Sequence, residues 1–153
     1  DDEEQRALDE AHARHKRERL WREAKALQEK GETEAEAGAF PTALVTWESA
    51  LQRFRALGEE SEGEEWRARA ATVLEYRSQA LLEMGRVLEA EEAARKSLAT
   101  FRCPRALQTL GRCLLNNGSV AAALVALEEA HEALPSLLGI DDDLTLARSR
   151  SSP

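Results

Sequence analysis

The stretch Pro104-Arg-Ala-Leu-Gln-Thr-Leu-Gly-Arg-Cys-Leu-Leu-Asn-Asn-Gly-Ser-Val-Ala-Ala-Ala-Leu-Val-Ala-Leu-Glu-Glu-Ala-His-Glu-Ala-Leu-Pro135 decides the fold class. Its apolar residues Leu107, Leu110, Leu114, Ala123, Leu127 and Ala130 recur at three- and four-residue intervals, the period of an amphipathic helix. Gly118 interrupts that period and Pro135 closes it, so the stretch reads as two helices joined by a tight turn. Gly111 removes a side chain where the two helices approach closely. The unit is one helix-turn-helix repeat of about 34 residues.

Two weaker copies precede it. Gly85, Ala90, Ala94, Ser97 and Leu98 fall where Gly118, Ala123, Leu127, Ala130 and His131 fall, with Leu74, Ser78 and Leu81 ahead of them. Gly38, Ala43, Trp47 and Ala50 take the same roles once more, with Leu27 and Gly31 in the preceding helix. These spacings are those of the tetratricopeptide repeat, and the chain resembles that family. The resemblance implies an all-α fold, a right-handed superhelix of three helical hairpins over residues 24–57, 58–103 and 104–135. A long N-terminal helix, residues 1–23, leads into it. The last hairpin needs a cover for its open apolar face. Asp141-Asp-Asp-Leu-Thr-Leu-Ala-Arg148 suits that purpose, with aspartates at a helix start and an arginine in the last turn, so residues 136–148 are expected to form a capping helix. The tail 149–153 is expected to be disordered.

The first and second copies are spaced about 13 residues further apart than the second and third. Gly58 reads as a helix-ending glycine, and Ser61 with Glu64 as a capping box, so the second hairpin's first helix is expected to begin near Ser61. That start overshoots the repeat body by about two to three turns. The leading helix overshoots as well, since no glycine or proline interrupts residues 1–30. First helices of neighbouring repeats lie side by side, so Leu20, Trp21 and Trp66 are expected to meet in an apolar clasp. The alternative is a loose acidic loop over residues 58–69.

The segments Trp47-Glu-Ser-Ala-Leu51, Ser78-Gln-Ala-Leu81, Thr109-Leu-Gly-Arg112 and Asp143-Leu-Thr-Leu-Ala-Arg148, in that order, are similar to one small group, the tetratricopeptide repeat protein thirty-three family. The glutamate-rich insertion departs from that group's pattern, which implies a divergent member. The resemblance implies a non-enzymatic adaptor in a larger intracellular or nuclear assembly, with RNA-processing machinery as one candidate.

Composition narrows the partners. Hydrophobic residues make up 42% of the 153-residue chain and charged ones 33%, with only 5% aromatic, the balance of an Ala/Leu/Glu/Arg-rich helical domain. A net charge of −8 disfavours direct attraction to nucleic acid or to an anionic membrane surface, leaving nucleic acid reachable only through a complex. No apolar run of about 18 residues and no signal-peptide pattern is present, so an intracellular place is expected, nucleus or cytoplasm left open. The chain begins at Asp1 with its single methionine at Met84, which suggests part of something longer.

Members of the repeat family bind extended peptides on the concave face lined by first helices. The resemblance places Gln28, Glu32, Tyr76, Gln79, Arg105, Gln108 and Arg112 there, beside Lys25, Thr72 and Glu75. The arginines can pair with carboxylates, the glutamines can read a peptide backbone, and Tyr76 can anchor a side chain. Some relatives grip a C-terminal carboxylate with lysines and asparagines. Those positions here are Gln28, Glu32, Tyr76, Arg105 and Thr109, and Glu32 sets a negative charge where the ligand's would lie. A second candidate is the basic strip Arg14, Lys16, Arg17 and Arg19, with Arg22, as a docking surface for an acidic protein. Its plain alternative is a solvated helix face. His12 and His15 lack convergent partners for a metal. Cys103 and Cys113, about 15 Å apart if on one helix, cannot bridge and are expected to be free thiols. No nucleophile-base pair, phosphate loop or cofactor motif is present, so no enzyme, cofactor or metal is expected. The sequence reads as a protein-interaction scaffold in a multi-subunit complex, with a free-standing peptide receptor or a structural, axonemal component as alternatives.

Overall fold

A turn repeated three times organises the chain. Gly118 has φ of 85°, its N–H bonds to the Leu115 carbonyl at 3.2 Å, and the next N–H, of Ser119, reaches back to Leu114 at 2.8 Å. This is a Schellman cap, which satisfies the last carbonyls of a helix and needs a left-handed residue that glycine supplies without strain. The same pair of bonds recurs at Gly38, to Ala35 with Ala39 to Glu34, and at Gly85, to Leu82 with Arg86 to Leu81. Each copy ends the first helix of a hairpin.

The computed structural model describes residues 1–61 and 63–151, and among them there are seven α-helices and no strand. In order these are α1 (Asp2–Glu36), α2 (Phe40–Glu60), α3 (Glu65–Glu83), α4 (Val87–Thr100), α5 (Pro104–Asn116), α6 (Val120–Ala133) and α7 (Ile140–Ser151). They group into two compact units, Asp1–Ala70 and Ala71–Pro153, with α3 running from one into the other. No described helix is long and apolar enough to cross a membrane.

A matched pair of residues locks each hairpin. A Cβ on Gly111 would lie 2.6 Å from the Leu127 side chain, so α5 and α6 touch there at backbone distance. The equivalent pair in α1 and α2 is Gly31 and Trp47, with the indole against the glycine. The corresponding positions of α3 and α4 hold Ser78 and Ala94, both fully buried, and there Ser78 Oγ donates to the Ala90 carbonyl at 2.6 Å. In the first and third hairpins a large side chain faces glycine, which keeps the interhelical volume filled at interior density.

In the second unit Leu107, Leu110, Leu114, Ala123, Leu127 and Ala130 form the core with Ile140, Leu144 and Ala147 of α7. The cover for the last hairpin is therefore present, but shifted: α7 begins at Ile140 rather than at residue 136 and runs to Ser151 rather than to 148. Residues 149–151, expected to be disordered, complete α7, while Ser152 and Pro153 lie outside the described residues. Asp141, Asp142 and Asp143 in its first turn and Arg148 and Arg150 in its last complement the helix dipole, and Ser149 and Ser151 bond to preceding carbonyls.

Two further expectations need correction. Gly58 does not end α2, which runs on to Glu60, and α3 begins at Glu65 rather than near Ser61. Phe54 and Leu57 continue the buried stripe of α2 past the repeat body and carry the helix through the glycine. Ser61 Oγ, assigned to a capping box, instead accepts a local bond from Gly63 N–H at 3.3 Å. The insertion is thus shared between two helices: α2 has 21 residues where α4 and α6 have 14, and α3 has 19 where α5 has 13.

Candidate functional site

In the first unit α1 and α2 run antiparallel in a register that their side chains mark at intervals. Glu23 pairs with Arg53 at 3.5 Å, and Trp21 meets Phe54 edge-on with ring centroids 6.0 Å apart. Lys16 Nζ reaches Glu60 at 2.8 Å, and that bond, with the Arg17 charge beside it, holds the Glu60 carboxyl below its ordinary value. Glu60 is the last residue of α2, so the earlier part of α1 continues for about 20 Å beyond it. Leu8 on that projection is 54% exposed. A capping box at Asp1, accepting from Glu4 N–H at 2.8 Å, secures the far end.

The head of α3 returns along this end of the hairpin. A Cβ on Gly58 would fall 2.5 Å from the Trp66 indole, so the missing side chain is what lets the ring lie on α2. Trp21, Leu57 and Trp66 line a small cleft there with Ser61, Gly63 and Glu65. Arg69 and Lys25 lie over Trp21 at 5.6 and 5.8 Å, and Arg67 lies over Trp66 at 5.6 Å, placing cations on the aromatic faces. Leu20 is buried on the α2 side of α1. Sequence reasoning set Trp21 against Trp66 but missed Phe54 and Leu57; a buried stripe extending past the aligned repeat was the available signal.

The basic strip lies on the same helix. Arg14, Lys16 and Arg19 are exposed and Arg17 is half-buried. Lys16 is engaged by Glu60 and Arg19 sits 3.8 Å from Glu23, whereas Arg14 and Arg22 have no ion pair among the described residues. Gln28 is buried in α1, with its side-chain oxygen lacking a hydrogen bond, and Glu32 is half-buried.

In the second unit most groove candidates are already engaged. Gln108 Nε2 donates to the Leu138 carbonyl at 2.8 Å and to Asp143 at 2.9 Å, and Arg112 Nε pairs with the same carboxylate at 3.0 Å. These bonds dock α7. Thr109 Oγ1 donates to Glu75 at 2.7 Å, and Gln79 donates to the same oxygen of Glu75 from one turn along α3. Glu75 is 2% exposed and its second oxygen has no hydrogen-bond partner. Burial pushes its carboxyl above the ordinary value, against the opposing pull of Thr109, Gln79 and the Arg105 and Arg112 charges. Arg105 and Gln79 are exposed and Tyr76 is half-buried.

Elsewhere in this unit Leu98, Ala99, Val125 and Ala126 flank an apolar groove between α4 and α6, floored by Leu107, Leu110 and Leu114. At its rim Arg102 pairs with Glu129, and Arg95 pairs with Glu91 one turn back along α4. Both cysteines are free, and burial raises the Cys113 thiol, which lies 3.7 Å from Ser78 Oγ. It is an inert interior group.

No protein-family profile matches the chain. No curated protein matches it either. Solved structures do. The Arabidopsis OM64 TPR domain superposes with a TM-score of 0.71 at 16% identity, covering 85% of this chain and 98% of that one. A TPR-like protein from Chlorobium tepidum gives 0.69 at 17%, covering 88% and 96%. The first TPR of Spaghetti (RPAP3), bound in that structure to the HSP90 peptide SRMEEVD, gives 0.68 at 16%, covering 84% and 92%. The chain has the tetratricopeptide-repeat fold.

Proposed function

We propose that this chain is a non-enzymatic adaptor, a subunit of a larger intracellular assembly, that docks proteins through the projecting half of α1. One contrast carries this reading. Gln108, Thr109 and Arg112, the groove side chains of the third hairpin, are bound to Asp143 and Glu75, whereas Arg14 and Arg22 on α1 pair with nothing described. A partner at the groove must break existing charge-assisted bonds, and a partner that pairs with Arg14 and Arg22 need not. Arg14, Lys16 and Arg19 are exposed around this stretch of α1 and Arg17 is half-buried beside Glu60, a concentration of positive charge suited to an acidic protein surface. The shared fold supports an interaction module. The order of Trp47, Ser78, Thr109 and Asp143 and their neighbours supports placement as a divergent relative of the tetratricopeptide repeat protein thirty-three group.

A second reading is a free-standing peptide receptor. Arg105, Gln79 and Tyr76 keep accessible surface in the second unit, and RPAP3, a structural neighbour, binds an HSP90 peptide in the same fold. The positions that would grip a terminal carboxylate weaken this reading, because Thr109 is turned to Glu75 and Gln28 is buried.

Quantitative affinity purification separates the two. Arg14→Glu, Arg17→Glu and Arg19→Glu together should remove the partners that wild type retains, and Tyr76→Ala, Gln79→Ala and Arg105→Ala together should keep them. The reverse pattern would establish the peptide receptor and sink the adaptor reading.

A further inference from the structure

The corner between α2 and α3 carries a hydroxyl on open backbone. Ser61 has φ of −142° and ψ of 143°, extended rather than helical, and it is exposed. Among the described residues its Oγ engages only the Gly63 N–H. Glu59 before it and Gly63, Glu64 and Glu65 after it are exposed as well, while Glu60 is held by Lys16. Glu64 stands three positions beyond the hydroxyl. A serine on accessible, strand-like chain with a carboxylate at that distance suits a protein kinase whose substrate groove is lined with basic side chains.

The other hydroxyls each miss a condition. Ser78 and Ser97 are fully buried and donate to the Ala90 and Ala71 carbonyls. Thr33 and Thr72 stand three positions before Glu36 and Glu75, yet both lie within helices. Ser149 lies between Arg148 and Arg150, the opposite charge pattern.

A receiver for phosphate stands beside Ser61. Ser61 lines the cleft walled by Trp21 and Trp66. Arg67 lies over Trp66, and Arg69 and Lys25 lie over Trp21. None of these three cations makes an ion pair among the described residues, and Arg69 rests on the indole rather than on Glu65 one turn earlier. A ring face attracts a cation modestly. A phosphoserine, with a charge of about −1.5 to −2 at neutral pH and three acceptor oxygens, attracts it more strongly than a ring or a single carboxylate does.

We propose that Ser61 is a phosphorylation site for an acidic-directed serine kinase, and that Arg67 and Arg69 hold the phosphate and fasten the corner to the tryptophan clasp. The kinase moves the γ-phosphoryl group of ATP. The Ser61 O–H bond breaks, an Oγ–P bond forms as the bridging P–O bond to the β-phosphate breaks, ADP leaves, and the hydroxyl proton passes to the kinase's base. The cations set the sign of the effect. Glu59, Glu64, Glu65 and the carboxyl end of α2 repel a phosphate, so without the arginines the added charge loosens the corner. With them it gains about one to three charge-assisted hydrogen bonds.

The test treats the whole chain with ATP, magnesium and a kinase that selects serines followed by carboxylates. Peptide mapping should place one phosphate at Ser61, and Ser61→Ala should abolish it. A folded chain left unmodified by a kinase that modifies a free peptide of residues 57–65 overturns the proposal. The second ionisation of phosphoserine lies at about pH 6. In the modified chain, followed by phosphorus NMR, it should fall below its value in the phosphorylated peptide, which lacks both arginines. Hydrogen exchange over residues 63–68 should slow about fivefold on modification. Arg67→Gln with Arg69→Gln should restore the peptide's titration and turn that slowing into acceleration relative to its own unmodified form. A phosphate in the wild-type chain that titrates as it does in the peptide also overturns the proposal, whether or not the double variant folds. Partner capture through Arg14, Arg17 and Arg19 is a separate matter, since Ser61→Ala leaves those side chains in place.

Discussion

The first and last hairpins share one contact and differ in what lies beyond it. Gly31 against Trp47 and Gly111 against Leu127 set the same register, and both hairpins turn through the same glycine cap. Past that contact α5 and α6 stop, at 13 and 14 residues, while α1 and α2 run to 35 and 21. The turns added to α2 and the adjoining middle of α1 have something to bury, and the first turns of α1, exposed throughout residues 1–10, do not. Trp21, Phe54, Leu57 and Trp66 supply that at the first hairpin, and α7 supplies it more cheaply at the last. The polar residues divide accordingly. Arg112 and Gln108 hold α7, whereas the charges of the α1 projection remain on the surface.

The regular hairpin should break hardest. Leu127→Ala removes a fully buried side chain packed on Gly111 and should cost about 3 kcal/mol, read from the shift in denaturation midpoint. A cost under about 1 kcal/mol would mean that the hairpin repacks around the gap. At the irregular end, Trp66→Ala uncovers Gly58 and one wall of the cleft. We expect about 2 kcal/mol of local loss, seen as faster hydrogen exchange over residues 54–60 with α6 unaffected. Asp143→Asn weakens the hold of Arg112 on α7 and should cost about 1 kcal/mol, with faster exchange confined to residues 140–151.

The smallest effect has the opposite sign. Burial raises the Glu75 carboxyl above its ordinary 4.5, so the fold favours the protonated form. That contribution is fully present below about pH 4.5 and is lost as pH rises through the raised value. Glu75→Gln keeps an acceptor for Thr109 and removes the buried charge. The two proteins should melt alike near pH 4, and the variant about 3 °C higher at pH 7, the equivalent of about 1 kcal/mol. Equal melting at both pH values would mean that water or the nearby arginines already neutralise the carboxylate.

Much of the architecture could be read from spacing, because the turn glycines, the Gly111 and Leu127 pair and the leucine stripe each answer a local steric demand. The end of α2 could not. Gly58 is a helix breaker by propensity, and the burial of Phe54 and Leu57 beside it, with the indole of Trp66, eight positions away, lying on it, keeps it within the helix. Ser61 and Glu64 matched a capping pattern that the local Gly63 bond displaced. Groove candidates were chosen by repeat position, which tells which side of a helix a residue occupies but not what already holds it. Asp143 decides the state of Gln108 and Arg112 from more than thirty positions away.

The claim that α1 is a docking element is tested most directly by hydrogen exchange on the isolated chain, diluted until it cannot self-associate. Lone helical turns without a packed face are marginal in water. Residues 3–19 should therefore exchange well ahead of residues 20–31, which pack on α2, and should gain protection when a partner is supplied. Protection over residues 3–19 equal to that over residues 20–31, in the dilute chain alone, would contradict the account.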